Sequence, residues 1–506
     1  MKRLLSIFID HRLLKNFGCY SNRWRQSIDH VPAGCWTIRN KMDNSAATQS
    51  NQFTLCRNHN VTFDTHRRWD PVPVKSRKGS KSSKAAKGTH DPSARDRIEF
   101  TLMNYNILAQ DLLDSHAQLY SEHDPQALPW EERCKRLTAE IERIDPDVLC
   151  VQELQENHIE AFCSRLKQDY GMLYKKRTGG DKTDGCALFY RRDLFDLVNH
   201  HKVEFYQPKV NKLNRENVAI IAKLSLKANP RAKLVVSTTH LLYNPNRQDI
   251  RLAQVQVLLA ELDRFAYCGK LPNGIPQYDP VILCGDFNLQ PFTAPYELLS
   301  KGYLRYDRLE SRSLKASNQR RGYVEKIGKF FLPPALGITD KCQHNALKDR
   351  EKDHHGQIPP SHMTKLHHSN HNEVKSVPND AESSNGNSPA KETDVRSEFS
   401  SGSLCHRFVF NSAYRHHGPD AEEQRQATTF QDEWITVDYL FYTPYRSVAE
   451  CNRTLPNWNL ELLQTYTLPT VQQCCWEIGC IPNKAYGSDH FALAGRFMLT
   501  IPKEEL

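Results

Sequence analysis

A chain of 506 residues, 39% hydrophobic with a mean hydropathy of −0.66, is long enough for one large domain with extensions and too polar to be folded throughout. No apolar run approaches the roughly 18–20 residues of a membrane helix. The fifteen cysteines, an odd number with no Cys-x-x-Cys pair, argue for free thiols and against a disulfide framework or a zinc site. The net charge of +9 is uneven: residues 1–98 carry 19 Lys+Arg and 7 Asp+Glu, or +12, leaving −3 for the rest. Any groove for a polyanion in the remainder must therefore be local.

In chain order, Met1–Ile9 mixes basic and apolar residues, and Arg12, Lys15, Arg23 and Arg25 continue the bias. Residues 1–25 read as a basic arm or as a mitochondrial transit peptide, with the arm favoured. Residues 75–87, rich in Lys and Ser, form a basic linker that suits solvent, a nuclear localisation signal or a loose RNA tether. Residues 1–97 are thus expected to be a basic, largely disordered extension. Residues 98–506 are expected to be the folded domain.

Order begins with the alternating segment Phe100–Leu108, a strand. Cys134, Leu137, Ile141 and Ile144 recur at helical spacing and predict a helix over 130–144, with Pro129 at its start. Asp147–Glu153 reads as a strand ending in an acid, and 157–168 as a second helix. Strands are expected at 186–191, 218–226, 233–241 and 280–284, and a long amphipathic helix over about 248–267. Residues 343–402 are rich in His, Ser, Asn and charge and read as a disordered insertion. Strands return at 436–442 and 491–499. Helices alternating with near-continuously apolar strands, which need cover on both faces, predict a layered α/β core.

The chemistry sits at the ends of these strands. Gly285-Asp286-Phe287-Asn288 follows the apolar run 280–284, and Asp286 and Asn288, two apart, point the same way in extended chain. Glu153 closes another apolar run, where an acid is costly unless it is paired or binds a cation. With Asn106 it offers hard oxygen donors of the kind Mg²⁺ takes. His240 ends a third run and opens the loop Leu241–Pro245. Asp438, within an apolar strand, needs a partner, and Ser488-Asp489-His490 supplies one: Asp438 can orient His490 and leave its other ring nitrogen for a phosphate oxygen.

Taken together, Met103–Leu108, Asp147–Glu153, Thr183–Ala187, Thr239–Pro245, Gly285–Asn288, Ser412–Tyr414, Thr436–Tyr439 and Ser488–His490 resemble the endonuclease/exonuclease/phosphatase superfamily, the pancreatic-DNase-like fold. They are most similar to the Angel group of its carbon-catabolite-repressor/nocturnin family. The resemblance spans about 98–500 without the insertion. It implies a four-layer α/β sandwich, two packed mixed sheets flanked by helices. It also implies an enzyme acting on single-stranded RNA 3′ ends with Mg²⁺, for which Mn²⁺ can substitute. The roles it implies are Glu153 as principal metal ligand with Asn106 beside it, and Asp489 completing the shell. Asp286 would activate water, Asn288 would hold water or phosphate, and His240 would contact the phosphate. His490, backed by Asp438, would stabilise transition-state charge.

One loop departs from the pattern. Poly(A)-removing relatives carry His-Leu-His-Trp-Asp-Pro where this chain has His240-Leu-Leu-Tyr-Asn-Pro245. Tyr243 and Pro245 can still pack against a base, while Asn244 replaces an acid. These changes weaken the expectation of poly(A) preference, and the resemblance to the Angel group implies, as the expected activity, hydrolysis of terminal 2′,3′-cyclic phosphates. A 3′–5′ exoribonuclease or deadenylase is the alternative, and a non-catalytic RNA-binding scaffold a remote one. Tyr278–Leu283 approximates a partner-docking spacing but runs into a strand, so no protein-docking motif is expected. The protein is expected to be a monomer without a membrane partner. Its expected location is cytoplasmic and also nuclear, or mitochondrial if residues 1–25 act as a transit peptide.

Overall fold

The computed structural model describes residues 66–73, 97–166, 169–270, 274–316, 325–347, 398–416, 424–431, 433–444, 455–456 and 459–500. The principal strands are β1 (Trp69–Pro71), β2 (Arg97–Asn106), β3 (Val148–Gln155), β4 (Tyr170–Lys176), β5 (Asp184–Arg191), β6 (Phe195–Glu204), β7 (Val218–Leu226), β8 (Asn229–His240), β9 (Val281–Asp286), β10 (Asn411–Ser412), β11 (Asp438–Tyr442), β12 (Asn459–Tyr466) and β13 (Leu493–Thr500). The principal helices are α1 (Gln110–Ser115), α2 (Trp130–Ile144), α3 (Ile159–Cys163), α4 (Gln248–Ala266) and α5 (Ala294–Lys301).

Two mixed sheets face each other. The first has the order β1-β12-β13-β2-β3-β5-β4 and the second β10-β11-β9-β8-β7-β6. The last strand pairs with the first long one, from Arg97↔Thr500 to Asn104↔Leu493, so strands from early and late in the sequence meet in the middle of the first sheet. Phe100, Val148, Leu188, Ile220, Val236, Ile282, Leu440 and Phe497 fill the space between the sheets. On the outside, Leu137 and Ile141 of α2 cover Met103, Leu149 and Val151, while α4 covers Ile221, Val235 and Leu283. This is the four-layer sandwich. Among the described residues no helix is long and apolar enough to cross a membrane.

The expected amphipathic helix, α4, has no solvent face: every residue from Asp249 to Ala266 is buried. Leu304, Tyr306, Phe331, Leu336 and Leu404 close over its outer side. Its polar side chains find partners, as burial demands, with Gln256 Oε1 left without one. Gln254 donates to Asn217, Gln256 donates to the Thr339 carbonyl, and Glu261 accepts from His344 at 3.0 Å and ion-pairs with Arg264 at 2.6 Å.

Two expected boundaries move. Within the 1–97 extension, residues 69–71 add a strand to the first sheet, paired antiparallel with β12. The reason is local: the Arg67 guanidinium is buried, donates to the Ala492 carbonyl, and lies 4.5 Å over the Tyr466 ring. Residues 1–65 and 74–96 lie outside the described residues. Within the 343–402 insertion both ends are ordered. His344 is buried against Glu261, Phe399 is buried, and Ser401 donates through its N–H and its hydroxyl to Asp340, each at 2.7 Å. Residues 348–397 lie outside the described residues. The helix expected over 157–168 is shorter, a 3₁₀ turn at Glu156–His158 followed by α3. Tyr278 and Leu283, the docking spacing, are both buried.

Candidate active site

The second sheet presents three of the side chains singled out at strand ends in one row. Asp286, the last residue of β9, is in register with His240 of β8 on one side and with Asp438 of β11 on the other. Residues opposite each other on neighbouring strands project to the same face. The parallel approach of β8 is close because Gly285 allows it: a Cβ there would lie 2.1 Å from the Thr239 carbonyl oxygen, and its φ of 146° suits glycine.

The first sheet supplies the opposing half. Asn106 ends β2. Glu153 sits where the β3–β5 register shifts between Val151 and Leu154, and has a φ of 63°. A bulge with a left-handed residue re-aims a side chain out of the alternating pattern, and here it turns Glu153 toward Asn106. The Asn106 amide then donates to Glu153 Oε1 at 2.9 Å and to Asp286 Oδ2 at 3.0 Å, joining the two sheets through one side chain. Ala109 N–H donates to Glu153 Oε2 at 2.9 Å. Asn288, at φ 51°, donates its N–H to Asp286 Oδ1 (2.9 Å) and its amide to the Leu241 carbonyl (3.0 Å).

His490 completes the cluster from the segment before β13. Its Nδ1 lies 2.8 Å from Asp438 Oδ2 and its Nε2 3.9 Å from Asp286 Oδ2. The neighbouring Ser488 hydroxyl donates to the Asn106 carbonyl at 2.7 Å, and Asp489 Oδ2 accepts from Tyr120 Oη at 2.9 Å. His240 places Nε2 3.5 Å from Asp286 and Nδ1 3.9 Å from Glu153. Asn106, Glu153, His240, Asp286, Asn288, Asp438, Asp489 and His490 are all buried. The structure thus brings together all eight residues singled out at strand ends. Tyr243, Asn244 and Pro245 lie on the exposed loop that follows His240.

Burial shapes the protonation states. It opposes charge on His490, but the Asp438 carboxylate overrides it and holds this imidazole charged well above its ordinary range. Burial, with Arg177 next, drives His240 down to about 3 and leaves it a neutral donor. Asp286 is pushed up to about 8, by burial first and by Asp438 second, and Glu153 is raised by burial and by Asp489. His240 is therefore uncharged, and its approach to Asp286 is a polar contact rather than an ion pair.

The donor set fits a divalent cation. Carboxylates crowded in a buried space raise one another's pKa, which a cation relieves. Donor atoms of Glu153, His240 and Asp286 lie within 4.8 Å of one another. His240 Nδ1 and Asp438 Oδ1 are buried with no hydrogen-bond partner.

Two residues that hold this geometry escaped the sequence reading. Arg133, fully buried on α2, donates to the carbonyls of Ile107 (2.9 Å), Leu128 (3.0 Å) and Gly487 (3.2 Å) and to Gln110 Oε1 (2.8 Å). It ties the loop after Asn106 to the loop before His490. Its signal was available: an arginine one position before Cys134, on the helix's apolar stripe. Arg251 donates to the carbonyls of Leu242, Tyr243, Asn244 and Pro245 and so fixes the loop after His240. Only its position on a helix buried on every side marks it.

The comparisons agree with this geometry. The Endonuclease/Exonuclease/phosphatase family model matches residues 103–490. Human protein angel homolog 2 is 32% identical over 427 residues, covering 81% of this chain and 72% of that protein. Human protein angel homolog 1 is 31% identical over 438 residues, covering 80% and 64%. A crystal structure of ANGEL2, described as a 2′,3′-cyclic phosphatase, superposes with a TM-score of 0.61 at 29% identity, covering 86% of this chain and 98% of that one. The same protein in complex with adenosine-2′,3′-vanadate gives 0.60 at 30% identity. This chain is a phosphoesterase of the endonuclease/exonuclease/phosphatase family and, within that family, belongs with the Angel proteins.

Proposed function

We propose that the protein is a Mg²⁺-dependent phosphoesterase of RNA 3′ ends that hydrolyses terminal 2′,3′-cyclic phosphates. The observation that carries this reading is the Asn106 amide shared between Glu153 and Asp286, with the His490 imidazolium facing the same Asp286 oxygen. A carboxylate suited to a metal, a carboxyl that titrates near neutrality and a buried cation thus stand around one point. The likeness to a solved 2′,3′-cyclic phosphatase, and to its complex with adenosine-2′,3′-vanadate, supports the substrate class.

In this reading Glu153 is the principal ligand for Mg²⁺, with Asn106 beside it and Asp489 completing the shell; Mn²⁺ substitutes. When bound, the metal neutralises charge on the phosphorus oxygens. Asp286, with a pKa of about 8, is poised to take a proton from the attacking water, because a proton-transfer group works best when its pKa lies near the working pH. Asn288 holds that water or the phosphate. Water oxygen bonds to phosphorus as its proton passes to Asp286, one phosphorus–oxygen ester bond of the ring breaks, and the departing ribose oxygen takes a proton from solvent, to which Asp286 returns the one it accepted. His240, neutral, donates a hydrogen bond to a phosphate oxygen. His490 supplies a charge-assisted one, and Asp438 keeps it charged and oriented. Tyr243, Asn244 and Pro245 contact the substrate from the loop.

The test incubates the purified protein and Mg²⁺ with two RNAs, one ending in a 2′,3′-cyclic phosphate and one in a free-hydroxyl poly(A) tract. Opening of the cyclic phosphate at constant RNA length is the expected result. Stepwise shortening of the poly(A) tract with the cyclic phosphate left intact would replace this reading with exoribonuclease.

A further inference from the structure

We propose that Phe292 is a stacking platform for the nucleobase beside the reacting phosphate, so that the enzyme recognises its substrate as a nucleotide without selecting which base; this rests on the RNA 3′-end reading above. Phe292 lies in the turn between β9 and α5, four residues after Asn288. Four residues span at most about 14 Å, which keeps the ring within a nucleotide or two of the site.

Two unfavourable features coincide there. The ring is 62% exposed, and the backbone φ is 65°. A left-handed turn position suits glycine or asparagine, and a bulky residue in it is an outlier. An outlier of this kind beside an active site points to a role the backbone is held to serve. The usual apolar partner for a residue at a helix start is absent. Phe292 precedes Thr293, the N-cap of α5, where an apolar residue commonly packs on one four positions into the helix. That position is Glu297.

The turn is nevertheless held firmly. Tyr439 Oη donates to the Leu289 carbonyl at 2.9 Å, Thr293 Oγ1 to the Gln290 carbonyl at 2.8 Å, and Glu297 N–H to the Thr293 carbonyl at 2.8 Å. Behind the ring stands Tyr296, with centroids 6.1 Å apart, and behind that Tyr439, at 5.4 Å from Tyr296. Phe292 is thus the exposed end of an aromatic ladder rooted in the core. The Asn288 amide on the Leu241 carbonyl joins this turn to the loop carrying Tyr243, itself 54% exposed. Two exposed rings therefore stand on the two loops that leave Asp286 and His240. Stacking on a ring tolerates every base, because each presents a π-face.

The experiment compares the wild type, F292G and F292W on three probes. These are an oligoribonucleotide ending in a 2′,3′-cyclic phosphate, ribose 2′,3′-cyclic phosphate without a base, and, for binding alone, a short single-stranded RNA with a 3′-hydroxyl. F292G is expected to weaken RNA binding and to raise KM about ten- to hundredfold. It should also narrow the preference for the base-bearing substrate and raise the melting temperature, because glycine relieves the left-handed turn. F292W should restore binding. A purely structural Phe292 would instead lower the melting temperature and leave that preference unchanged. Equal KM and equal RNA affinity in wild type and F292G would overturn the proposal. Absence of cyclic-phosphate turnover in the wild type would overturn the functional reading, while the RNA affinities would still decide the role of Phe292.

Discussion

Replacing Arg133 by methionine separates what holds the site from what performs the chemistry. The guanidinium serves three backbone carbonyls and Gln110 from a fully buried position. Losing a donor costs about 1–3 kcal/mol per stranded acceptor, or roughly 6 kcal/mol for three. Against this, burial holds the guanidinium itself down to about 10 from 12.5. That corresponds to roughly 3 kcal/mol of desolvation, which the apolar side chain returns. The net loss is about 3 kcal/mol, a large share of the 5–15 kcal/mol typical of a folded domain. Urea unfolding should show it. Activity should fall further than stability implies, by tenfold or more under conditions where the variant is fully folded, because the Ala109 N–H on Glu153 and the turn carrying His490 lose their common tether. Arg133→Lys should keep the charge and recover little activity, since one ammonium cannot span acceptors on three loops. A destabilised Arg133→Met enzyme with wild-type kcat/KM would refute the positioning role, and unchanged stability would refute the accounting.

Glu153→Gln should raise the stability of the metal-free protein by roughly 1–3 kcal/mol, since it removes a buried, repelled carboxylate, while weakening Mg²⁺ affinity at least tenfold; thermal unfolding with and without Mg²⁺ reads both. Asp438→Asn should lower kcat about a hundredfold to ten-thousandfold at neutral pH. Without that carboxylate burial keeps His490 neutral, so an NMR titration of its imidazole should show it charging at a lower pH than in the wild type. Glu261 is opposed by burial but drawn down to about 2 by His344 and Arg264. A depressed folded pKa stabilises above the unfolded value near 4.5 and is lost as pH falls toward 2. Acid unfolding of Glu261→Gln should therefore lack about 3 kcal/mol of that pH dependence. A protein beginning at Arg97 loses β1 and the buried Arg67 and should melt lower by calorimetry than one beginning at His66.

The fold was legible wherever a segment buries one face or both. The α2 pattern gave its bounds, and the apolar runs of β7, β8 and β9 gave theirs within a few residues. The β6 strand, Phe195–Glu204, was not legible. It is an edge strand with Asn199, His200, His201 and Lys202 inside it, and an edge tolerates polar residues on both faces. The extent of burial around α4 was also hidden. Its outer cover comes from 304–345 and 398–410, whose apolar residues are sparse and scattered among polar ones. At the site, strand-end acids and histidines stood out because an acid after an apolar run needs a partner. What the sequence withheld was register: nothing local says that Asp286 lies between His240 and Asp438, nor that a bulge turns Glu153 inward. Arg133 and Arg251 were hidden for a related reason. Their partners are backbone carbonyls, which carry no residue-type signature.

The measurement that bears most directly on the account is mass analysis of an oligoribonucleotide bearing a 2′,3′-cyclic phosphate after incubation with wild type, Glu153→Gln and Asp286→Asn, each with Mg²⁺ and with a chelator. The account predicts that wild type with Mg²⁺ alone adds water at the cyclic phosphate and leaves the chain length unchanged, while the chelator and either substitution reduce the rate at least a hundredfold. Turnover in chelator equal to that in Mg²⁺, or wild-type rates in both variants, would contradict it.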